Sequence, residues 1–82
     1  MKLAIYSLKK ILFQGKAESV NCKTALGEIT VLDHHRPLVT KLAPGVIKII
    51  DKEKKDHYIP VSSGFLEMNS GNQAKLIVDE PV

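Results

Sequence analysis

Few side chains in this sequence could do chemistry, and their spacing argues against most reactions. There are three histidines and one cysteine. His34 and His35 are adjacent, so on an extended chain their imidazoles point to opposite sides. A zinc site would need further ligands converging on one of them. His57 stands elsewhere, beside Tyr58, and no Cys-x-x-Cys or His-x-His spacing exists. The imidazoles are therefore read as solvated or hydrogen-bonded. Cys22 falls among apolar inward positions and reads as a small hydrophobe rather than a reactive thiol. Ser62-Ser63-Gly64 does not make a nucleophile elbow, because Pro60 stands where Ser62 would need a glycine. No Gly-x-x-x-x-Gly-Lys run offers a phosphate loop. No catalytic residue, cofactor or metal ligand set is expected.

The stretch with functional content is a polar corner. Residues 28–32 form a predicted strand with β-branched Ile29, Thr30 and Val31. Asp33, His34, His35 and Arg36 then bring four strongly polar residues together. Pro37 stops the strand and pushes Arg36 toward extended geometry. A second strand follows. Pro44-Gly45 closes it in a turn, with the glycine expected at positive φ. The corner reads as a rigid, solvated ledge, and such loops on a β scaffold commonly carry contacts to partners. Taken alone, Glu28 and His35 also fit an ordinary surface carboxylate and a loop imidazole.

The surrounding elements are short strands. Residues 2–7 alternate, with Leu3 and Ile5 set against Lys2, Ala4 and Tyr6. Residues 11–14 form a second strand closed by Gly15, and 16–23 a third with Val20 and Cys22 inward. Residues 46–50 are apolar except for Lys48, which suggests cover on both faces. Residues 51–56 are all charged and read as a solvated hairpin tip, the run Lys52-Glu53-Lys54-Lys55 included. Strands at 57–62 and 65–68 follow, then the turn Asn69-Ser70-Gly71-Asn72, a strand at 73–78 and a frayed end at 79–82. About nine strands with no helix predict an all-β, small, flattened antiparallel β-sandwich or barrel.

Length and composition agree with one domain. At 82 residues, folding buries about 60–65% of the unfolded surface, enough for one core. The net charge of +3 is too mild for a nucleic-acid footprint. The lone cysteine makes a reducing compartment the simplest reading. No apolar run approaches the roughly 18 residues of a membrane span, so contact with a membrane would be indirect.

Three runs carry a family resemblance. They are Gly27, Glu28, Leu32, His35, Pro37 and Leu38 leading to Leu42, Pro44 and Gly45; the segment from Tyr58-Ile59-Pro60-Val61 to Gly64-Phe65-Leu66-Glu67-Met68; and Phe13-Gln14-Gly15 with Glu18-Ser19-Val20. In this order they resemble the N-terminal domain of the epsilon subunit of bacterial and chloroplast F-type ATP synthases, called delta in mitochondria. The resemblance implies a flattened sandwich of roughly ten strands in two sheets. It implies a non-catalytic central-stalk subunit that couples the gamma subunit to the c-subunit ring. Its location would be the cytoplasmic face of a bacterial inner membrane or an equivalent organellar face. In most members a two-helix hairpin follows, and this sequence stops where it would begin. A short form and a fragment both fit, and the hairpin's nucleotide binding is not carried over.

By the same resemblance, Glu28 would face the polar loops of the c-ring. His35, with Asp33, His34 and Arg36, would sit near the join of gamma and ring. Ser7 matches a position near gamma. Arg36 replaces a small residue, Asp33 replaces a frequent glycine, and Ser63 replaces the first of two glycines. The competing reading is an unrelated β-sandwich module that binds peptides by strand addition.

Overall fold

In the computed structural model, which describes residues 1–81, alternation of burial is clearest in the first and last strands. The strands are β1 (Lys2–Tyr6), β2 (Ile11–Thr24), β3 (Gly27–Leu32), β4 (Leu38–Leu42), β5 (Gly45–Asp51), β6 (Asp56–Val61), β7 (Ser63–Met68) and β8 (Gln73–Asp79). In β8, Ala74, Leu76 and Val78 are buried while Lys75 and Ile77 face out. In β1, Leu3 and Ile5 point inward as predicted. These residues join Val20, Val31, Ile47, Ile49 and Leu66 in one hydrophobic cluster. Cys22 lies within it, and burial pushes its thiol up to about 11.

The eight strands form one hydrogen-bonded network in the order β1-β8-β7-β4-β2-β5-β6, with β3 on β2 and a further β1–β2 pairing. The ring β1-β8-β7-β4-β2 thus closes on itself. This corrects the purely antiparallel expectation, because β1 and β8 run parallel, with Leu3 beside Ala74 and Ile5 beside Leu76. A parallel pair needs a long crossover. Here nearly the whole chain supplies it.

The predicted strands at 11–14 and 16–23 are one strand of 14 residues, which lowers the strand count to eight. Gly15 has φ +158° and continues the strand instead of closing it. Drawn straight, such a strand would span about 45 Å. The molecule's longest extent is 31 Å, so β2 has to bend. It does so at an irregularity between Ala17 and Ser19. The extra residue resets the facing pattern, so Ala17, Val20 and Cys22 are all buried.

Three smaller expectations also change. β5 buries Ile47 and Ile49, but Val46 is 48% exposed, so the strand is not covered on both faces. Gly45 is absent from the positive-φ residues and opens β5. A Cβ on it would come 2.9 Å from Lys23 Cδ, a contact that the flexible lysine side chain can relieve by moving. Asp79, placed in the frayed end, pairs with Ser63 as the last residue of β8; Val82 of that end lies outside the described residues. Gly64 is the tightest point. At φ +155°, a Cβ there would lie 2.5 Å from the Ile77 carbonyl oxygen.

Candidate functional site

The polar corner is fastened from four directions, and Asp33 is the hub. One carboxylate oxygen accepts from the Met1 ammonium and from Asn72 Nδ2 at 2.9 Å. The other accepts from Lys52 Nζ at 2.7 Å. Lys52, the Met1 ammonium and Asn72, in that order of effect, hold the Asp33 carboxyl well below the usual range. The backbone follows the same pattern. Asp33 N–H donates to the Glu18 carbonyl at 2.9 Å, and His34 N–H donates to Asn72 Oδ1 at 2.7 Å. His34 takes the left-handed region, φ 63°, and its exposed ring projects from this frame. His35 N–H donates to the Leu32 carbonyl at 3.0 Å, while its Nδ1–H donates to the Arg36 carbonyl at 2.7 Å.

The charged hairpin tip is part of the same construction. It is not merely solvated. Lys52 reaches Asp33, and Lys54 Nζ contacts both Glu18 carboxylate oxygens at 2.7 and 2.8 Å. At its base, Asp51 Oδ2 accepts from His57 Nε2 at 2.8 Å, and Asp51 Oδ1 accepts from the Glu53 and Lys55 amides. His57 first, then the Lys55 amide, lowers the Asp51 carboxyl. The His57 ring meets Phe13 edge-on at 5.1 Å between centroids. Lys52, Asn72 and the Met1 amine escaped sequence reasoning because they lie far from Asp33 along the chain.

The structure brings Asp33, His34, His35 and Arg36 together but not Glu28 or Ser7. Glu28 is at the other end of β3, opposite Lys23, about 17 Å away at strand rise. It is exposed and accepts from Asn21 Nδ2 at 2.8 Å; Asn21 also donates to Thr30 Oγ1 at 2.9 Å. Ser7 lies in the β1–β2 turn. Its Oγ accepts from the Lys9 and Lys10 amides at 3.3 and 3.2 Å, which is the work of a turn cap.

A second surface was not singled out from sequence. Register places Phe65 opposite Ile77, Ile77 beside Tyr6 and Tyr6 opposite Ile11. Phe65, Ile77 and Ile11 are 57%, 51% and 55% exposed. An apolar row therefore crosses the outer face of β7, β8, β1 and β2. Isolated exposed apolar residues are ordinary, whereas contiguous ones mark contact surfaces. The visible signal was apolar residues on both phases of residues 65–66 and 76–78.

Fold and surfaces together define a closed β-sandwich with a polar ledge and a separate apolar face. Residues 1–82 match the family described as ATP synthase, Delta/Epsilon chain, beta-sandwich domain, and the chain belongs to that family. This sets aside the unrelated peptide-binding module. The chain is similar to one in the Euglena gracilis mitochondrial ATP synthase structure of OSCP, F1 and c-ring, with TM-score 0.91 and 24% identity, over 100% of this chain and 52% of that one. It is also similar to one in the central stalk and c-ring structure of the Tetrahymena thermophila mitochondrial ATP synthase, with TM-score 0.85 and 14% identity, over 98% of this chain and 63% of that one. At these identities the likeness is one of fold. The chain spans about half to two-thirds of the length of these relatives.

Proposed function

We propose that this protein is a non-catalytic central-stalk subunit of an F-type ATP synthase, joining the gamma subunit to the c-subunit ring so that rotation passes between them during ATP synthesis. The observation that carries the reading is the family match along the whole of residues 1–82. The geometry supports it. A coupling element must resist twisting, and a close-packed sandwich is poorly compressible. It must also hold two neighbours at once. The apolar row on β7, β8, β1 and β2 suits gamma, and the polar edge carrying Glu28 and the corner at Asp33, His34, His35 and Arg36 suits the polar loops of the ring. Ser7, at the end of β1 beyond Tyr6, borders the gamma face. The complex is membrane-associated, and the subunit's place is the cytoplasmic face of a bacterial inner membrane or its organellar equivalent.

A rim carboxylate contributes only about 0–1 kcal/mol, so Glu28 tunes the ring contact and does not create it. The test is co-purification with separately prepared gamma and c-ring. Phe65→Asp should abolish gamma binding and leave ring binding. Glu28→Lys should weaken ring binding and leave gamma binding. If wild-type protein binds neither, the proposal fails. If Glu28→Lys holds the ring as well as wild type at elevated salt, the role of Glu28 is wrong.

A further inference from the structure

One step along the strands from the apolar row, the same outer face changes character. Glu67 lies opposite Lys75, Lys75 beside Ala4, and Lys2 opposite Lys16. Ala4 is the smallest outward side chain among them. It floors a hollow of about 360 Å³ with Lys2, Lys16, Lys75, Glu67 and Gln73 around it. Three ammonium groups against one carboxylate leave a local charge of +2, out of +3 for the chain.

These lysines differ from those of the hairpin tip. Lys52, Lys54 and Lys55 have carboxylate partners, as do Lys10 and Lys48. Among the described residues, Lys2, Lys16 and Lys75 have no carboxylate within 4.0 Å, and Glu67 has no cationic group within that distance. Clustered like charges repel one another and attract an oppositely charged surface. Glu67, Lys75 and Ala4 are displaced from Phe65, Ile77 and Tyr6 by two residues, about 7 Å at strand rise, and the Lys2–Lys16 pair by four, about 13 Å. One segment lying on the face can therefore engage both.

We infer that the hollow receives carboxylate side chains, and that the segment covering this face is an acidic, amphipathic stretch of the gamma subunit. The inference rests on the gamma docking proposed above and names its chemistry. Apolar side chains of the segment cover Phe65, Ile77 and Tyr6. Its Asp or Glu side chains enter beside Ala4 and neutralise Lys2, Lys16 and Lys75. Such rim charges act mainly on the association rate and on its salt dependence.

The experiment measures association of the intact protein with isolated gamma by stopped flow, at low and at high salt. The triple variant Lys2→Gln, Lys16→Gln, Lys75→Gln should lose about tenfold in association rate at low salt and show a flatter salt dependence. Glu67→Gln should associate faster. Ala4→Leu, which fills the hollow, should speed dissociation. Thermal melting of the triple variant should match wild type, since no ion pair is removed. If Phe65→Asp abolishes binding while the triple variant keeps wild-type rate and salt dependence, gamma docking stands and this inference falls. If wild-type protein does not bind gamma, both fall. Salt-sensitive self-association that Lys→Gln removes would assign the hollow to a second copy and overturn the inference.

Discussion

The two candidate contact surfaces are built by different means. The polar corner is held by side chains: Asp33 is gripped by Lys52, Asn72 and the Met1 ammonium, from three distant parts of the chain. The apolar row is held by backbone: Phe65, Ile77, Tyr6 and Ile11 align because four strands pair in register. A surface of the first kind depends on one carboxylate and on its charge. The alignment of the second kind survives any single outward substitution, even one that spoils its contact chemistry, and is lost only when the strands cannot pair.

The sharpest test of that contrast is Gly64→Ala. The new Cβ would lie 2.5 Å from the Ile77 carbonyl and 2.9 Å from Val78 Cα, at a φ that L side chains avoid. It should cost about 3 kcal/mol and distort the β7–β8 register under the row. Urea unfolding would measure this; unchanged stability would mean that the row does not depend on close β7–β8 packing.

Asp33→Ala should act next most strongly, and only on the corner. Amide hydrogen exchange at His34 and His35 should accelerate, while amides of β7 and β8 stay protected. The same carboxyl gives a pH signature. Its folded pKa is lowered from 3.8, as is that of Asp51. The stability each contributes is present above that value and is lost as pH falls below it toward the folded pKa. Wild type should therefore exceed Asp33→Asn in stability at neutral pH and converge with it in acid. A constant gap across that range would remove Asp33 as an ionised hub.

Phe65→Asp should have the smallest effect on the fold, within about 0.5 kcal/mol by thermal melting, because its side chain faces outward. A large loss of stability would show that the row belongs to the core and is not an interface.

Much of this was legible in the residues. Alternation at 73–78 and at Leu3 and Ile5 announced the inner face, and Asn69-Ser70-Gly71-Asn72 announced its turn. Ser63 was expected to avoid positive φ, and it does. The sequence predicts a rigid corner from Pro37 and the clustered polar residues, but not the long-range bonds to Asp33 that would hold it. Asp33 meets Lys52 and Asn72 across 19 and 39 residues, a separation that leaves no local trace. Glu28 and the corner looked like one ledge because they are near in sequence, yet an extended strand sets its two ends far apart. Gly15 read as a stop because glycine usually breaks a strand, whereas here it lets β2 run on. The parallel pairing of β1 with β8 left no mark at all, since each strand alternates the same way whichever direction its neighbour runs.

That pairing bears on how the protein is made. β1 is synthesised before the other described strands, yet one of its flanks has no partner until β8 has been made. Until then the nascent chain carries an unpaired edge on β1 and another on β7, each a site for misassociation. Contacts this remote in sequence also make for a slow search. Closure of the ring should therefore be a late, all-or-none event, and the growing chain a natural client for factors that shield open strands.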